Sequence, residues 1–165
     1  MLIRTAKSYD AKSIAKVHVD SWLSTYKGIV PDAYLETLSY EEREELWNTV
    51  IPNGSVFVAE EENGKIIGFA NGGKERSGDY PGYKGELYAI YILKEYQGKG
   101  IGTLLFHHVR QFLKDRNIDS MITFAFEDNT ACQFYEASGG KIIGKEDTNI
   151  GGEKLKEVVY GWKNL

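Results

Sequence analysis

Six residues, Gln97-Gly98-Lys99-Gly100-Ile101-Gly102, separate a strand-like apolar run, Leu87 to Leu93, from a segment of strong helical periodicity. Three glycines at alternate positions remove the β-carbons that would keep a charged ligand off the main chain, and they admit left-handed backbone angles. The following segment carries Ile101, Leu104, Leu105, Val109, Phe112 and Leu113 at i, i+3, i+4, i+8, i+11 and i+12, an apolar stripe of helical period. The free amides and positive dipole end of that helix face the glycines, where an anion is favoured. Lys99 adds a formal positive charge. A diphosphate socket is one reading of this turn; a close strand-to-helix entry is the other. The dinucleotide fingerprint G-x-G-x-x-G fails at Thr103, and the P-loop pattern G-x-x-x-x-G-K-[ST] is absent.

The chain around this turn reads as a mixed α/β layout. Leu2 to Thr5 predicts a first strand, and Asp10 can cap a helix running to about Tyr26. Pro31 opens a short helix, and Ser39 with Glu42 forms a capping box for another that ends near Ile51. Ser55 to Glu61 and Lys65 to about Arg76 predict strands joined at Glu62-Asn63-Gly64, an antiparallel hairpin signal. A glycine-rich loop, Ser77 to Gly85, leads to a strand at 86–93. After the periodic helix come a strand at about 120–126, a helix from about Asn129 to Ser138, and two strands joined near Gly151-Gly152. The order β, helices, β-β-β, α, β, α, β-β predicts one sheet covered by helices.

With 165 residues and no repeat or linker, residues 1–165 are expected to form one domain. A net charge of −4 argues against a nucleic-acid partner, which needs a basic face. The single cysteine, Cys132, cannot form an internal bridge, and no Cys/His spacing predicts a metal site. Neither a signal peptide nor a membrane span is expected, so the reading is a soluble cytoplasmic chain without a membrane partner.

A second constellation follows a strand end: Asn129-Thr130-Ala131-Cys132-Gln133-Phe134-Tyr135-Glu136, with Ala131, Phe134, Tyr135 and Ser138 on one helical face. Alone, this is an ordinary helix that packs its aromatic pair inward. Together, the upstream [QR]-x-x-G-x-[GA] pattern, met by Gln97, Gly100 and Gly102, and the downstream N-x-x-A-x-x-F-Y helix resemble the GNAT superfamily of acyl-CoA-dependent N-acetyltransferases over roughly residues 55–145. One departure is Gly140, where many relatives carry an aromatic.

The resemblance implies a mostly antiparallel sheet with two splayed parallel central strands and helices on both faces. It implies that acetyl-CoA is the co-substrate, with its pyrophosphate on the main-chain amides from Gly98 to Thr103, so that Gln97, Gly98, Lys99, Gly100, Ile101, Gly102 and Thr103 are the cofactor-binding residues expected at this turn. The pantetheine arm would lie between the strands at 86–93 and 120–126, paired with Ile90 and Ile92 as an added strand would be. An amide of that strand can stabilise the oxyanion of attack. Asn129 matches a cofactor-contacting asparagine, and Tyr135 the tyrosine beside the departing sulfur. Full proton transfer from a phenol (pKa about 10) to a thiolate (about 8.5) is uphill by roughly 2 kcal/mol, so Tyr135 is assigned hydrogen-bond stabilisation of the leaving thiolate, with protonation concerted or late.

The acceptor, a primary amine, arrives protonated, and freeing its lone pair at neutral pH costs about 4 to 5 kcal/mol. Glu86, at the start of the strand beside the thioester, is the candidate to take that proton. His18, Trp22 and Tyr26 share one face of the first long helix; Trp22 and Tyr26 are expected in the acceptor pocket, where aromatics can grip a cation. His18 is a weak catalytic candidate, and His107 and His108 lie too far along their helix. Direct attack in a ternary complex needs neither a metal nor an acyl-Cys132. The run Glu41-Glu42-Glu44-Glu45 reads as a solvated helix surface. The alternative is a noncatalytic acyl-CoA sensor, against which Tyr135 counts; a nucleotide-binding regulator using only the glycine turn is a further rival. A homodimer is the commonest assembly to expect.

Overall fold

In the computed structural model, which describes residues 1–165, seven strands form one sheet in the order β1-β2-β3-β4-β5-β7-β6. They are β1 (Leu2–Thr5), β2 (Val56–Glu60), β3 (Ile66–Lys74), β4 (Gly85–Ile92), β5 (Met121–Phe126), β6 (Lys141–Ile150) and β7 (Glu153–Trp162). The helices are α1 (Ala11–Thr25), α2 (Asp32–Leu35), α3 (Tyr40–Val50), α4 (Ile101–Lys114) and α5 (Ala131–Ala137). β4 and β5 run parallel, and every other neighbouring pair is antiparallel. The predicted element order and the mixed sheet with a central parallel pair are both present.

Helices cover both faces, so the central strands are apolar throughout instead of alternating. On β2, Phe57 and Ala59 face the α4 core, with Leu105, Val109 and Leu113, while Val56 and Val58 face α1 and α3 through Ile14, Val17 and Trp47. His18 belongs to this second core: the Trp47 indole N–H donates to its Nδ1 at 3.1 Å, and Phe69 and Tyr91 flank the ring. Burial drives its pKa down to about 3, so the imidazole is neutral and structural.

Three local expectations are corrected. Asp10 does not cap α1 through its side chain; its carboxylate accepts from the Lys7 N–H at 2.7 Å and pairs with Arg4, tying β1 to the turn before the helix. At α3 the Glu42 N–H donates to Ser39 Oγ at 3.2 Å, which is one half of the expected box. On α4, Leu104 is exposed and Phe106 is buried against Phe134 and Trp162, because α5 and the end of β7 cover a second side of this helix.

Trp162 also explains Gly140. A β-carbon there would lie 2.7 Å from the indole and 2.8 Å from the Tyr135 carbonyl, while Trp162 Nε1 donates to Ser138 O at 3.0 Å. Glycine at 140 makes room for this ring beside the end of α5.

Candidate functional site

β4 and β5 are paired only at Gly85–Met121 and Glu86–Ile122 and then separate. Thr123 Oγ1, donating to Leu87 O at 2.9 Å, is a tie at the apex of the opening. The splay has a local cause on β4. Ala89 lies opposite Asn71 and Leu87 opposite Gly72, so Tyr88 is an extra residue with no partner on β3. Such a bulge bends its strand and reverses the facing of the residues after it. Leu87, Ile90 and Ile92 therefore share the α4 side, whereas Ala89 and Tyr91 turn to the α1 side.

The bulge also leaves the free edge of β4 usable. The Leu93 N–H donates to Ile67 O on β3 at 2.9 Å, so Ile92 and Ile90, at the alternate parity, turn their N–H and C=O groups into the gap. The Gln97 side chain donates to Ile92 O at 3.0 Å, bracing the strand against the glycine turn.

That turn has the backbone its composition predicts. Gly98 and Gly100 have φ of +75° and +81°, and a β-carbon at either would meet nothing within 4 Å. Glycine is needed there for the left-handed angle, while the space in front stays open for a ligand. The six amides from Gly98 to Thr103 donate to no other protein group, and the first bond of α4 runs from Leu104 N to Gly100 O at 3.3 Å. A helix N-terminus, a left-handed turn and six unpaired donors make an anion cradle suited to a diphosphate.

A cavity of about 560 Å³ runs from this cradle into the splay. It is lined by Ile90, Ile92, Gln97, Gly98, Gly100, Ile101, Gly102, Thr103, Asn129 and Tyr135, so the structure brings together nearly all of the residues expected around the cofactor. Lys99 stands off this wall with its ammonium over the Tyr96 ring at 5.3 Å. Asn129 is buried, and its Oδ1 accepts from the Ala131 N–H at 2.9 Å, shaping the entry to α5. Tyr135 is buried as well. Burial pushes its phenol far above the usual range and neighbouring Tyr91 adds to this, so Tyr135 keeps its hydroxyl proton at neutral pH. Burial likewise raises the Cys132 thiol, whose hydrogen points at Phe126 O, which makes it a poor nucleophile.

A second cavity of about 450 Å³ lies on the α1 side of the gap and shares Tyr26, Tyr88, Tyr91, Phe124 and Ala125 with the first. Trp22 and Tyr26 are in its wall, as expected for an acceptor pocket, and the Tyr26 and Tyr91 hydroxyls are hydrogen bonded at 3.1 Å. Glu86 is also there, but occupied: Arg76 Nη2 lies 2.7 Å from one carboxylate oxygen, and the Arg76 N–H and Nε donate to the other at 3.2 and 3.4 Å. The guanidinium rests on the Tyr88 ring at 4.1 Å. Two further carboxylates, Glu146 and Glu157, face each other across β6 and β7 and complete the wall. Burial first, and then the like charge of Glu146, push Glu157 above the usual carboxylate range, with the Thr148 hydroxyl opposing.

Sequence reasoning missed the Tyr88 bulge, the Thr123 tie, the Arg76 partner and this carboxylate pair. For Glu157 a signal was present: it falls in phase with Leu155 and Val159 on a strand whose inward positions are otherwise apolar. Nothing local marks Arg76 or Glu146, because their partners come from other strands.

Comparison with known proteins agrees with this geometry. Residues 16–140 match the acetyltransferase (GNAT) family. Over 99% of the chain and 93% of the relative, the sequence is 44% identical to the uncharacterized N-acetyltransferase YuaI of Bacillus subtilis. It is 27% identical to the spermidine N(1)-acetyltransferase of Thermoplasma acidophilum over 96% of each chain. The crystal structure of the PaiA N-acetyltransferase of Thermoplasma acidophilum in complex with coenzyme A superposes with a TM-score of 0.74 at 26% identity, covering 94% of this chain and 96% of that one.

Proposed function

The chain belongs to the GNAT acetyltransferase family, and on that premise we propose that it acetylates a primary amine of a polycationic acceptor, with a polyamine as the substrate class. It is an acetyl-CoA-dependent N-acetyltransferase. Residues 1–165 are taken as one such domain, since β6 and β7 lie beyond the matched stretch yet complete the same sheet and wall the acceptor cavity. No helix is long and apolar enough to cross a membrane, and a cytoplasmic location is the reading adopted for a chain with one unpaired cysteine.

The observation that carries the reading is the row of six unpaired amides opening onto a splayed parallel pair, with Tyr135 in the same cavity. The amides of Gly98 to Thr103 hold the diphosphate of coenzyme A, and Ile90 and Ile92 pair through their backbone with the pantetheine arm. A gap-facing β4 amide stabilises the oxyanion as the amine attacks the acetyl carbon. Tyr135 gives its hydroxyl hydrogen bond, and then its proton, to the departing sulfur. Most of the acceleration comes from positioning and these prepared donors, not from a covalent enzyme intermediate.

The acceptor class is supported by the second cavity, whose aromatic wall and carboxylates suit an ammonium chain, and by the likeness to an enzyme named for spermidine. Free-thiol release from acetyl-CoA, measured across polyamines, monoamines, amino acids and peptides, tests it. Polyamines are expected to give the highest kcat/KM; a preference for a peptide N-terminus or an acidic amine overturns the class, and thiol release with no amine overturns the activity.

A further inference from the structure

We propose that Glu157 takes the proton from the acceptor's ammonium, an assignment that rests on the acetyl-transfer reading above. Three carboxylates reach the acceptor cavity, and their partners separate them. Glu86 receives three N–H donors from Arg76, and protonating it means giving up that pairing. Glu146 accepts the Tyr80 hydroxyl at 2.6 Å and is held as an acceptor. Glu157 forms no ion pair; the nearby lysines of the hairpin are engaged elsewhere, Lys154 and Lys156 with Asp147 and Lys145 with Glu127.

The groups that face Glu157 bring no unpaired positive charge to it. From β6 come Glu146 and the Thr148 hydroxyl, from β4 the Tyr91 phenol, and from the end of α1 the Tyr26 phenol; Glu86, already neutralised by Arg76, lies in the same cavity. All are neutral or negative apart from that paired guanidinium. Half burial and the opposed Glu146 carboxylate both raise its affinity for a proton, the property a base working near neutral pH needs. Trp22, Tyr26 and Phe126 line the same space, so an ammonium is held against aromatic faces at the carboxylate.

The step balances. One N–H bond of the ammonium breaks toward a Glu157 oxygen, and the freed lone pair attacks the acetyl carbon. The carbon–sulfur bond then breaks, and the thiolate takes the Tyr135 proton. A second N–H proton, shed as the amide forms, restores the phenol, and Glu157 returns its own to solvent.

The test compares two acceptors of similar length: an alkyl diamine, protonated at pH 7, and an alkoxyamine, already neutral there. Glu157→Gln should lower kcat/KM for the diamine by about 100-fold and for the alkoxyamine by less than about 3-fold. A second variant, Glu146→Gln, removes the opposed charge, so Glu157 ionises more readily and the acid limb of the kcat/KM profile should move to lower pH. Equal losses with both acceptors, the selective loss appearing in Glu86→Gln instead, or an acid limb that stays put in Glu146→Gln would each overturn the assignment. If the unaltered protein releases thiol with neither acceptor, the acetyl-transfer reading falls first, and the base with it.

Discussion

The two cavities that meet across the β4–β5 gap are built by opposite means. The cofactor side is mostly backbone: a contiguous stretch from Ile90 to Thr103 supplies the free strand edge, the left-handed turn and the unpaired amides. The acceptor side is side chains drawn from α1, β4, β5, β6, β7 and the loop before β4. Backbone recognition suits a diphosphate that every member of a family must hold, since it depends on chain path and not on residue identity. Side-chain recognition can be rewritten one residue at a time, so the acceptor can change while the first half stays fixed.

Tyr135 tests that division most severely, because it is the side chain on the cofactor side assigned chemistry and not only a wall. Tyr135→Phe keeps the ring packed on Tyr160 and Trp162 and removes only the hydroxyl. We expect kcat to fall roughly 100-fold. The Kd for coenzyme A, read by calorimetry, should change by less than about 3-fold, since the phosphate cradle is untouched. An unaltered kcat would leave the cofactor side as scaffold alone.

Gly100→Val probes the backbone half directly. No atom lies within 4 Å of the new β-carbon, so the core is not overfilled; the cost comes from φ of +81°, which a β-branched residue resists, and from a side chain placed before the cradle amides. If the free turn relaxes out of the cradle conformation to shed about 1–3 kcal/mol of strain, coenzyme A affinity falls by about 5- to 150-fold. Unfolding in urea should show a fold still cooperative. Normal affinity would mean that the diphosphate is held elsewhere.

The same contrast decides what the sequence disclosed. The cofactor side was legible because its signals are local: glycine spacing, the α4 stripe, and the Asn129 to Tyr135 helix lie within about one element of each other. Even there the Tyr88 bulge was hidden, because a bulge is defined by the partner strand, Asn71 and Gly72 against Ala89 and Leu87. The acceptor side was half legible: helical spacing put Trp22 and Tyr26 together, and the strand start marked Glu86. What neutralises Glu86 is Arg76, ten residues earlier across a loop, and what faces Glu157 is Glu146 across a hairpin. Pairings set by register between strands leave no trace in the spacing of either residue alone.

Arg76→Ala is the finest probe of the acceptor half, because it separates a carboxylate held for architecture from one held for chemistry. Glu86 is almost fully buried, but the Arg76 side chain is 63% exposed, so water replaces much of what the guanidinium provides. The stability loss should therefore be under about 1 kcal/mol, a fall in Tm of at most about 4 °C. The two outcomes for turnover differ in direction. If Glu86 serves as wall and charge, kcat/KM for a diamine falls only about 2- to 5-fold, as the Tyr88 ring loses the cation stacked on it. If Glu86 is the base restrained by its partner, freeing it raises kcat toward neutral pH, and the carboxylate pair on β6 and β7 returns to being part of the pocket wall.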